Sequence, residues 1–304
     1  MRLEFVPIDF KLSFLSPAQV DANPLFVLRG MMGKHLRSMC CISRSTKCCE
    51  CMYHKTCAYA FLFETILSQE NTILPGTDRA SHPFSLSKRQ FQPGNPIAGY
   101  SFTITLFGKA AEYLPYIYAA FVRSGKDGLF KGRTPFFVED VQVDGSSILI
   151  GENKLSTDYE GKEWTFDTRM PEDEPPPREV FVELKSPLRF KFGGKYGTDF
   201  AAADFMSCLF RRTKTMCGLY GDFGDEKYSP TEDLEMTERN LRWVNYRHYS
   251  ARQKTQMELG GAVGHLKISG CFTPFELALL EFNKIANAGK NTNFGLGQMD
   301  YWKR

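Results

Sequence analysis

The stretch GHLKISGCFTPFELALLEFNKIANAGKNTNFGLGQMDYW (264–302) contains the signals that decide the fold class. Its first seven residues predict a strand. Thr273-Pro274-Phe275-Glu276 is a capping box with proline at the first helical position, so a helix begins there and ends near Gly289. A glycine-rich turn then leads to a final strand, QMDYW (298–302). The predicted order is strand, helix, strand.

The residues before this stretch predict the same kinds of element. Val180 to Phe192 predicts a strand, and Asp199 is placed to cap a helix that ends before Gly218. The segment LRWVNYRHYS (241–250) predicts a further strand. The second half of the chain therefore mixes strands and helices throughout.

The first half of the chain repeats this plan. PIDFKLSF (7–14) alternates strictly, which predicts a half-buried strand. Asn23 followed by Pro24 is an N-cap with proline at the first helical position, and this helix is expected to run to about Cys40. The elements predicted beyond it are a short helix or strand in AYAFLFETIL (58–67), turns over 68–98, a strand in YSFTITLF (100–107), a helix from Lys109 to Ser124 and a strand in FFVEDVQV (136–143).

The acidic, proline-rich segment MPEDEPPPRE (170–179) separates the two halves, because it has no periodic apolar face. We therefore predict two domains, residues 1–172 and residues 173–304. The repeated β-α-β plan predicts the α+β class, with two tandem ferredoxin-like (RRM-like) domains. A small cysteine-rich insert (residues 40–60) is expected after the first helix.

Composition limits the classes of protein that this chain can represent. It has 304 residues, which suggests about two domains. Hydrophobic residues make up 42% and aromatic residues 14%, as in globular proteins. The mean hydropathy is −0.32, and no apolar run approaches the ~18 residues that span a bilayer. The amino-terminal residues lack the pattern of a signal peptide, so we expect a cytoplasmic protein without a membrane partner. The net charge of +3 is weak, so an anionic partner would have to bind local clusters.

Six of the nine cysteines fall in one segment, CCISRSTKCCECMYHKTC (40–57). The odd total and the lack of an export signal argue against a disulfide framework and favour a metal site. The most regular set of four thiolates for one tetrahedral ion predicts a structural zinc site at Cys41, Cys48, Cys51 and Cys57. Alternative ligands are Cys40, Cys49 and His54. An iron–sulfur cluster and unmetallated thiols packed in a small insert are the alternative interpretations.

Segments along nearly the whole chain resemble the CRISPR precursor-RNA processing endoribonucleases of the repeat-associated RNA-binding (RAMP) superfamily, especially cysteine-bearing members. The carboxyl-terminal signature lies in GGAVGHLKISG (260–270), the capped helix and GKNTNFGLGQM (289–299). The other similar segments are LRGMMGKHLR (28–37), CCECMYHKTCAYAFLFE (48–64), FTITLFG (102–108), ELKSPLRFKFGG (183–194), FRRTKTMCGLYGD (210–222) and YSARQ (249–253). One difference concerns Asn287, near which the family's glycine-rich loop usually has another glycine.

The resemblance implies an enzyme that binds a CRISPR repeat and cuts it to release guide RNAs. In this family the reaction needs no metal, and a ribose 2′-hydroxyl attacks the neighbouring phosphate to leave a 2′,3′-cyclic phosphate and a 5′-hydroxyl. The expected partners are CRISPR repeat RNA and other CRISPR effector subunits. No small-molecule substrate and no catalytic cofactor are expected.

Such a reaction needs a proton acceptor, a proton donor and cations for the phosphorane. The family often places a catalytic histidine on or just after the first helix, which favours His35 and His54. Lys34 stands beside His35 and would supply a cation. His35 also falls in the apolar sector of the predicted helix, so a partly buried structural histidine fits the pattern equally well. His54 lies among the cysteines and fits a proton acceptor, a metal ligand or neither role.

Cationic, aromatic and glycine-rich positions are the candidates for RNA contact. Successive N–H groups of the glycine-rich turn can form an anion-binding nest, although a plain helix end and turn explains the glycines as well. The candidates are Arg29, Arg37, Arg211, Arg212, Lys214, Tyr249, Arg252, Gln253, Lys290, Asn291, Thr292, Gly295 and Gly297.

Two other functions compete with the endoribonuclease interpretation. A non-cleaving RNA-binding subunit of a CRISPR effector complex would share the fold and the basic residues. A redox carrier protein would use the cysteines as a cluster site. No Rossmann fingerprint, hydrolase nucleophile elbow or kinase signature is present in the sequence.

Overall fold

The computed structural model describes residues 1–67, 71–88, 95–151, 154–166, 175–250 and 255–304. These residues form two compact units. One unit contains residues 3–163 and 219–221, and the other contains residues 1–2, 164–218 and 222–304. The first half of the proline-rich segment that was predicted to separate the domains, residues 170–174, lies outside the described residues.

The amino-terminal unit is an antiparallel sheet with two α-helices. Its elements are β1 (Arg2–Ala18), α1 (Pro24–Cys40), β2 (Phe84–Lys88), β3 (Ile97–Phe107), α2 (Leu114–Ser124), β4 (Phe136–Val143), β5 (Ser146–Ser147), β6 (Leu149–Ile150) and β7 (Lys154–Leu155). The strands are ordered β2-β3-β1-β4-β5 in the sheet, and β6 pairs with β7. The succession β1-α1-β2-β3-α2-β4 with this strand order is the ferredoxin-like arrangement.

Alternation in β1 builds the core of this unit. Ile8, Phe10 and Leu12 are fully buried, as the sequence pattern predicted. The register places Phe10 opposite Phe102, and their rings stack with centroids 5.5 Å apart. Phe121 of α2 packs on Phe10 at 5.2 Å. Burial of each of these side chains contributes about 2 kcal/mol to folding.

Helix α1 begins where the sequence predicted. The Asn23 side chain accepts a hydrogen bond from the Leu25 amide, and Pro24 takes the first helical position. The 3₁₀ segment 108–113 precedes α2, which ends before Gly125 as expected. Strand β2 was not predicted, because 68–98 was interpreted as turns. The segment 58–67 contains a short π-helix, Ala60–Glu64.

The carboxyl-terminal unit has the same arrangement. Its elements are β9 (Glu179–Leu188), α3 (Ala202–Tyr220), β10 (Glu235–Ser250), β11 (Thr255–Ser269), α4 (Pro274–Ala286) and β12 (Met299–Lys303). Strand β8 (Lys162–Thr165) comes before them in the chain and belongs to the amino-terminal sheet, where it pairs with β1. The antiparallel sheet has the order β10-β11-β9-β12. The predicted α+β class with two ferredoxin-like folds is confirmed.

The ends of two predicted elements in this unit were wrong. Asp199 does not cap α3, because it pairs with Arg239 while the Asp204 side chain accepts the Ala201 amide. Helix α3 also continues through Gly218 to Tyr220. Strand β9 ends at Leu188, before the predicted Phe192.

The capping box of α4 is confirmed. Thr273 and Glu276 each accept the other's backbone N–H. The Glu276 carboxylate also accepts hydrogen bonds from the hydroxyls of Tyr228 and Thr231. This buried carboxylate therefore fixes the start of the helix that leads into the glycine-rich loop (residues 287–298).

Candidate functional site

His35 lies on α1 with most of its side chain covered. The side chain is 13% exposed, and its Nε2 lies 3.2 Å from Oδ2 of Asp127, which follows α2. The packing of α1 against α2 therefore brings together two residues that are far apart in sequence. Asp127 was not among the predicted site residues, since a lone acidic residue after a helix has no distinctive spacing.

Lys34 contacts the same carboxylate. Its Nζ lies 2.6 Å from Oδ2 of Asp127, and this hydrogen bond is the main reason that the pKa of the Asp127 carboxyl is lowered. The Lys34 side chain is largely exposed. Two predicted catalytic residues, Lys34 and His35, thus meet at one carboxylate that is ionised at neutral pH.

This group of three residues can orient an imidazole for proton transfer. A carboxylate at Nε2 favours the tautomer that holds the proton on that nitrogen, and Nδ1 is then the proton acceptor. Lys34 adds a positive charge beside the imidazole.

Arg29 and Arg37 lie against aromatic rings. The Arg29 guanidinium lies 3.3 Å from Nε2 of His82 and 5.3 Å from the centre of the Phe63 ring. Arg37 lies 6.0 Å from the Tyr59 ring. Arg37 is two positions after His35, about 200° around the helix, so the two side chains leave the helix on nearly opposite sides.

The third catalytic candidate, His54, belongs to the cysteine segment (residues 40–57). Its Nδ1 lies 2.8 Å from the Cys51 carbonyl oxygen, which also accepts the His54 backbone N–H. His54 lines a small cavity, and His35 does not. The other predicted ligands around that cavity are Cys40, Cys41, Cys48, Cys51 and Cys57.

All nine cysteines are free thiols. Burial raises the pKa of the Cys48 thiol, and Glu64, Cys41 and Cys57 add smaller effects in the same direction, so these thiols lie within electrostatic reach of one another. In the part of the chain that the structure describes, no three His, Cys, Asp or Glu side chains are grouped closely enough to hold a metal ion.

The glycine-rich loop is held by internal hydrogen bonds. The amides of Lys290 and Gly297 donate to the carbonyl oxygens of Arg189 and Pro187, and the amides of Gly295 and Leu296 donate within the loop. These N–H groups are therefore not the open anion-binding nest that the sequence suggested. Gly295, Gly297 and Thr292 are buried, and the exposed candidate in the loop is Lys290, with Asn291 half-buried.

Arg212 corrects a prediction of RNA contact. It is 5% exposed, and its guanidinium donates to the carbonyl oxygens of Asn287 and Ala286 and to the Thr292 hydroxyl. It therefore shapes the loop from inside. Arg211 is exposed on the same helix, and Lys214 lies 5.6 Å from the Phe223 ring. Arg211 and Arg212 differ in exposure because successive residues of an α-helix point about 100° apart around its axis.

A cation–aromatic cluster beside the loop was missed. The Arg189 guanidinium stacks 3.9 Å from the Tyr196 ring and donates to the Gly260 carbonyl at 2.9 Å. Lys191 Nζ lies 5.6 Å from the same ring. Because the Arg189 carbonyl accepts the Lys290 amide, the cluster adjoins the glycine-rich loop. Its sequence signal was the alternation of cations and aromatics in ELKSPLRFKFGG.

Three further candidates fall where little is described. Arg252 and Gln253 lie outside the described residues, and Tyr249 stands near the end of β10 with its side chain outside them. Among the residues that are described, every helix is too short or too polar to cross a lipid bilayer.

Two family models match the chain one after the other. Residues 3–160 match AF_1859_N, described as an N-terminal domain, and residues 182–299 match the model of the CRISPR-associated endoribonuclease Cas6. The Cas6 model covers less than half of the chain, so the carboxyl-terminal part of the chain resembles the Cas6 family. The resemblance found in the sequence is thereby confirmed. No match was found among curated protein sequences.

Solved Cas6 structures share the fold. A product complex of Cas6 (TTHB231) matches with a TM-score of 0.54 at 15% identity, over 99% of this chain and 100% of that chain. Thermus thermophilus Cas6 (TTHB231) matches with a TM-score of 0.51 at 14% identity, over 99% of each chain. A partial Cas6-RT-Cas1–Cas2 complex matches with a TM-score of 0.55 at 13% identity, but this chain covers only 46% of that one.

Proposed function

We propose that this protein binds CRISPR repeat RNA and cleaves precursor transcripts to release guide RNAs. The match of residues 182–299 to the model of the CRISPR-associated endoribonuclease Cas6 supports an RNA-cleaving activity. Relatives of the same fold were solved as product complexes, which supports repeat RNA as the partner. A Cas6-RT-Cas1–Cas2 complex among the relatives supports other CRISPR proteins as further partners, and the expected place of action is the cytoplasm.

In the proposed reaction, the ribose 2′-oxygen attacks the adjacent phosphorus while the bond from phosphorus to the 5′-oxygen breaks. The proton of the 2′-hydroxyl passes to Nδ1 of His35. The leaving 5′-oxygen takes up a proton from a water molecule, and the hydroxide formed takes the proton back from the His35 imidazolium. The products are a 2′,3′-cyclic phosphate and a 5′-hydroxyl. No metal ion takes part in this scheme.

The hydrogen bond between His35 and Asp127 is the observation that supports this assignment best. A histidine on the first helix, oriented by a carboxylate and flanked by the Lys34 ammonium, has the parts that proton transfer and phosphorane stabilisation need. His54 lacks a comparable partner, because its Nδ1 is engaged with the Cys51 carbonyl of its own segment.

RNA contact is proposed for the exposed cations of the carboxyl-terminal unit. Lys290 and Arg211 offer charge to phosphates, and the Tyr196 ring beside Arg189 and Lys191 offers a surface for base stacking. Arg212 and Thr292 contribute indirectly, by holding the glycine-rich loop.

The test is cleavage of the cognate repeat RNA in excess EDTA, followed by end-group analysis. Wild-type protein should leave a 2′,3′-cyclic phosphate, and RNA with a 2′-deoxy sugar at the cut should stay intact. His35→Ala should slow the single-turnover rate by about 10²–10⁴-fold. His265→Ala, a change of an exposed histidine on β11, is the matched control and should keep the wild-type rate.

Two outcomes would contradict the proposal. Cleavage of the deoxy-substituted RNA would exclude attack by the 2′-hydroxyl. Tight binding without cleavage, unchanged in His35→Ala, would instead indicate a non-cleaving subunit of an effector complex.

A further inference from the structure

The cysteine segment is folded although it has no hydrophobic core of its own. From Cys41 to Cys57 no residue is buried, and Ile42 and Met52 expose 74% and 83% of their side chains. A segment this short cannot order itself by apolar burial, so small elements of this kind usually depend on disulfides or a metal ion. Cys48 and Cys57 pack at the edge of the core of the amino-terminal unit. The thiols are all free, and four of them close together in sequence favour a metal ion as the cross-link.

The backbone arranges the thiols around one cavity. Cys48 begins a 3₁₀ turn in which the Cys51 amide donates to the Cys48 carbonyl at 3.3 Å, so the two residues come from one tight turn. Cys41 caps the carboxyl end of α1, and the Cys57 amide donates to the Tyr53 carbonyl at 3.0 Å. Two residues from a turn and two from flanking segments are a common way to bind one tetrahedral ion.

The cavity has the size of one ion. Its volume is about 30 Å³, enough for a single water-sized occupant. The side chains that line this cavity are not grouped closely enough to hold an ion as they stand, so binding requires the thiols to move towards one another.

His54 has a different task in this arrangement. Its backbone N–H and its Nδ1 both lie within hydrogen-bond distance of the Cys51 carbonyl oxygen, at 3.0 and 2.8 Å. These contacts fix the turn that carries Cys48 and Cys51. The His54 imidazole therefore holds the backbone of the ligand residue Cys51 in place. Groups around metal sites commonly orient the ligands in this way.

We propose that a single zinc ion binds to the Cys41, Cys48, Cys51 and Cys57 thiolates and ties the cysteine segment to the carboxyl end of α1. Four thiolates fill the coordination sphere, so the ion braces the segment and has no open position for a substrate. Because α1 also contains His35, the ion restrains the end of the helix that positions this histidine.

The proposal is tested on the full-length protein, purified under reducing conditions without a chelator. Elemental analysis should find about one zinc ion per chain. Single Cys→Ser changes at the four ligand positions should each lower the zinc content. Cys49→Ser and Cys271→Ser are matched controls, since one lies exposed in the same turn and the other lies far along the chain; both should retain zinc.

A second measurement does not depend on the variants folding. Cobalt added to zinc-free wild-type protein should give the intense near-ultraviolet absorption of thiolate ligation, and zinc should displace it. Release of zinc by a thiol-modifying reagent should expose residues 41–57 to limited proteolysis while the rest of the chain stays resistant.

Several results would overturn the proposal. These are wild-type protein that neither contains nor takes up zinc, a brown iron-containing protein, a disulfide within the segment, or zinc content that depends on His54 and not on Cys51. None of these results concerns RNA cleavage, so the proposed zinc site and the proposed function are tested independently.

Discussion

Oδ2 of Asp127 lies 3.2 Å from Nε2 of His35, and it also accepts a hydrogen bond from Lys34 at 2.6 Å. Asp127 lies in the loop after α2, and its carboxylate contacts α1. There it links the side chains of Lys34 and His35, which are adjacent in sequence. Asp127 is a positioning residue in the proposed reaction, because it contacts the imidazole of His35 and would act through it.

We expect Asp127→Asn to slow repeat RNA cleavage by about tenfold to a hundredfold, since groups that orient a functional histidine have effects of this size. Affinity for the RNA should stay unchanged, because the amide keeps the shape of the side chain. Single-turnover rates at saturating protein measure the effect. Asp144→Asn, which alters another exposed aspartate paired with a lysine, is the control and should cleave normally. Equal rates for both variants would show that Asp127 does not position His35.

The lowered pKa of the Asp127 carboxyl predicts a pH dependence of stability. The ionised form is favoured in the folded state, chiefly by the Lys34 hydrogen bond. Its contribution is therefore fully present above the unfolded value of about 3.9, and it is lost as the pH falls through the lower folded value. The urea midpoint of wild type should exceed that of Asp127→Asn by a small margin at pH 7 and still at about pH 4.5. The margin should close at lower pH. A margin that disappears between pH 7 and pH 5 would contradict this assignment.

Arg212 is expected to be a determinant of stability. Arg212→Met leaves the Asn287 and Ala286 carbonyl oxygens and the Thr292 hydroxyl without this donor in a buried site, and we expect a loss of about 3 kcal/mol in the free energy of unfolding. Arg211→Met changes the exposed neighbour and should alter stability by less than about 0.5 kcal/mol. Urea denaturation compares the two variants. If Arg212 contacted RNA directly, Arg212→Met would weaken binding with little change in stability.

Gly297 is required for the close approach of two backbone segments. Its φ is +75°, and a Cβ atom there would overlap the carbonyl oxygen of Ala288. Gly297→Ala should therefore cost about 3 kcal/mol or more in the free energy of unfolding. Gly193 also has positive φ, +52°, but has open space around it, so Gly193→Ala should cost only about 1–2 kcal/mol. Thermal unfolding of both variants checks the difference, and equal losses would show that φ alone sets the cost.

Asn287, in the same loop, also has a backbone conformation that glycine favours. It adopts a φ of +58° near the position where the resemblance led us to expect a glycine. The Asn287 carbonyl oxygen accepts a hydrogen bond from Arg212, so the loop keeps its geometry with a side chain in place of glycine.

The sequence by itself determined the elements whose signals are local. Alternation in β1, the N-cap at Asn23 and the capping box at Thr273 each act over a few residues, and all three are confirmed. The motifs that resemble the Cas6 family follow one another along the sequence, so this resemblance was recognised without any tertiary information. Strand β2 was not predicted from the sequence, because its segment is short, lies between turns and has no long alternation of apolar and polar residues.

Only the tertiary structure decided which of the candidate residues meet. Packing of α1 on α2 brought Asp127 to His35, and packing of α3 on the glycine-rich loop turned Arg212 inward while Arg211 stayed exposed. Composition and residue spacing do not predict such contacts. The contacts depend on which face each helix buries against elements far away in the chain.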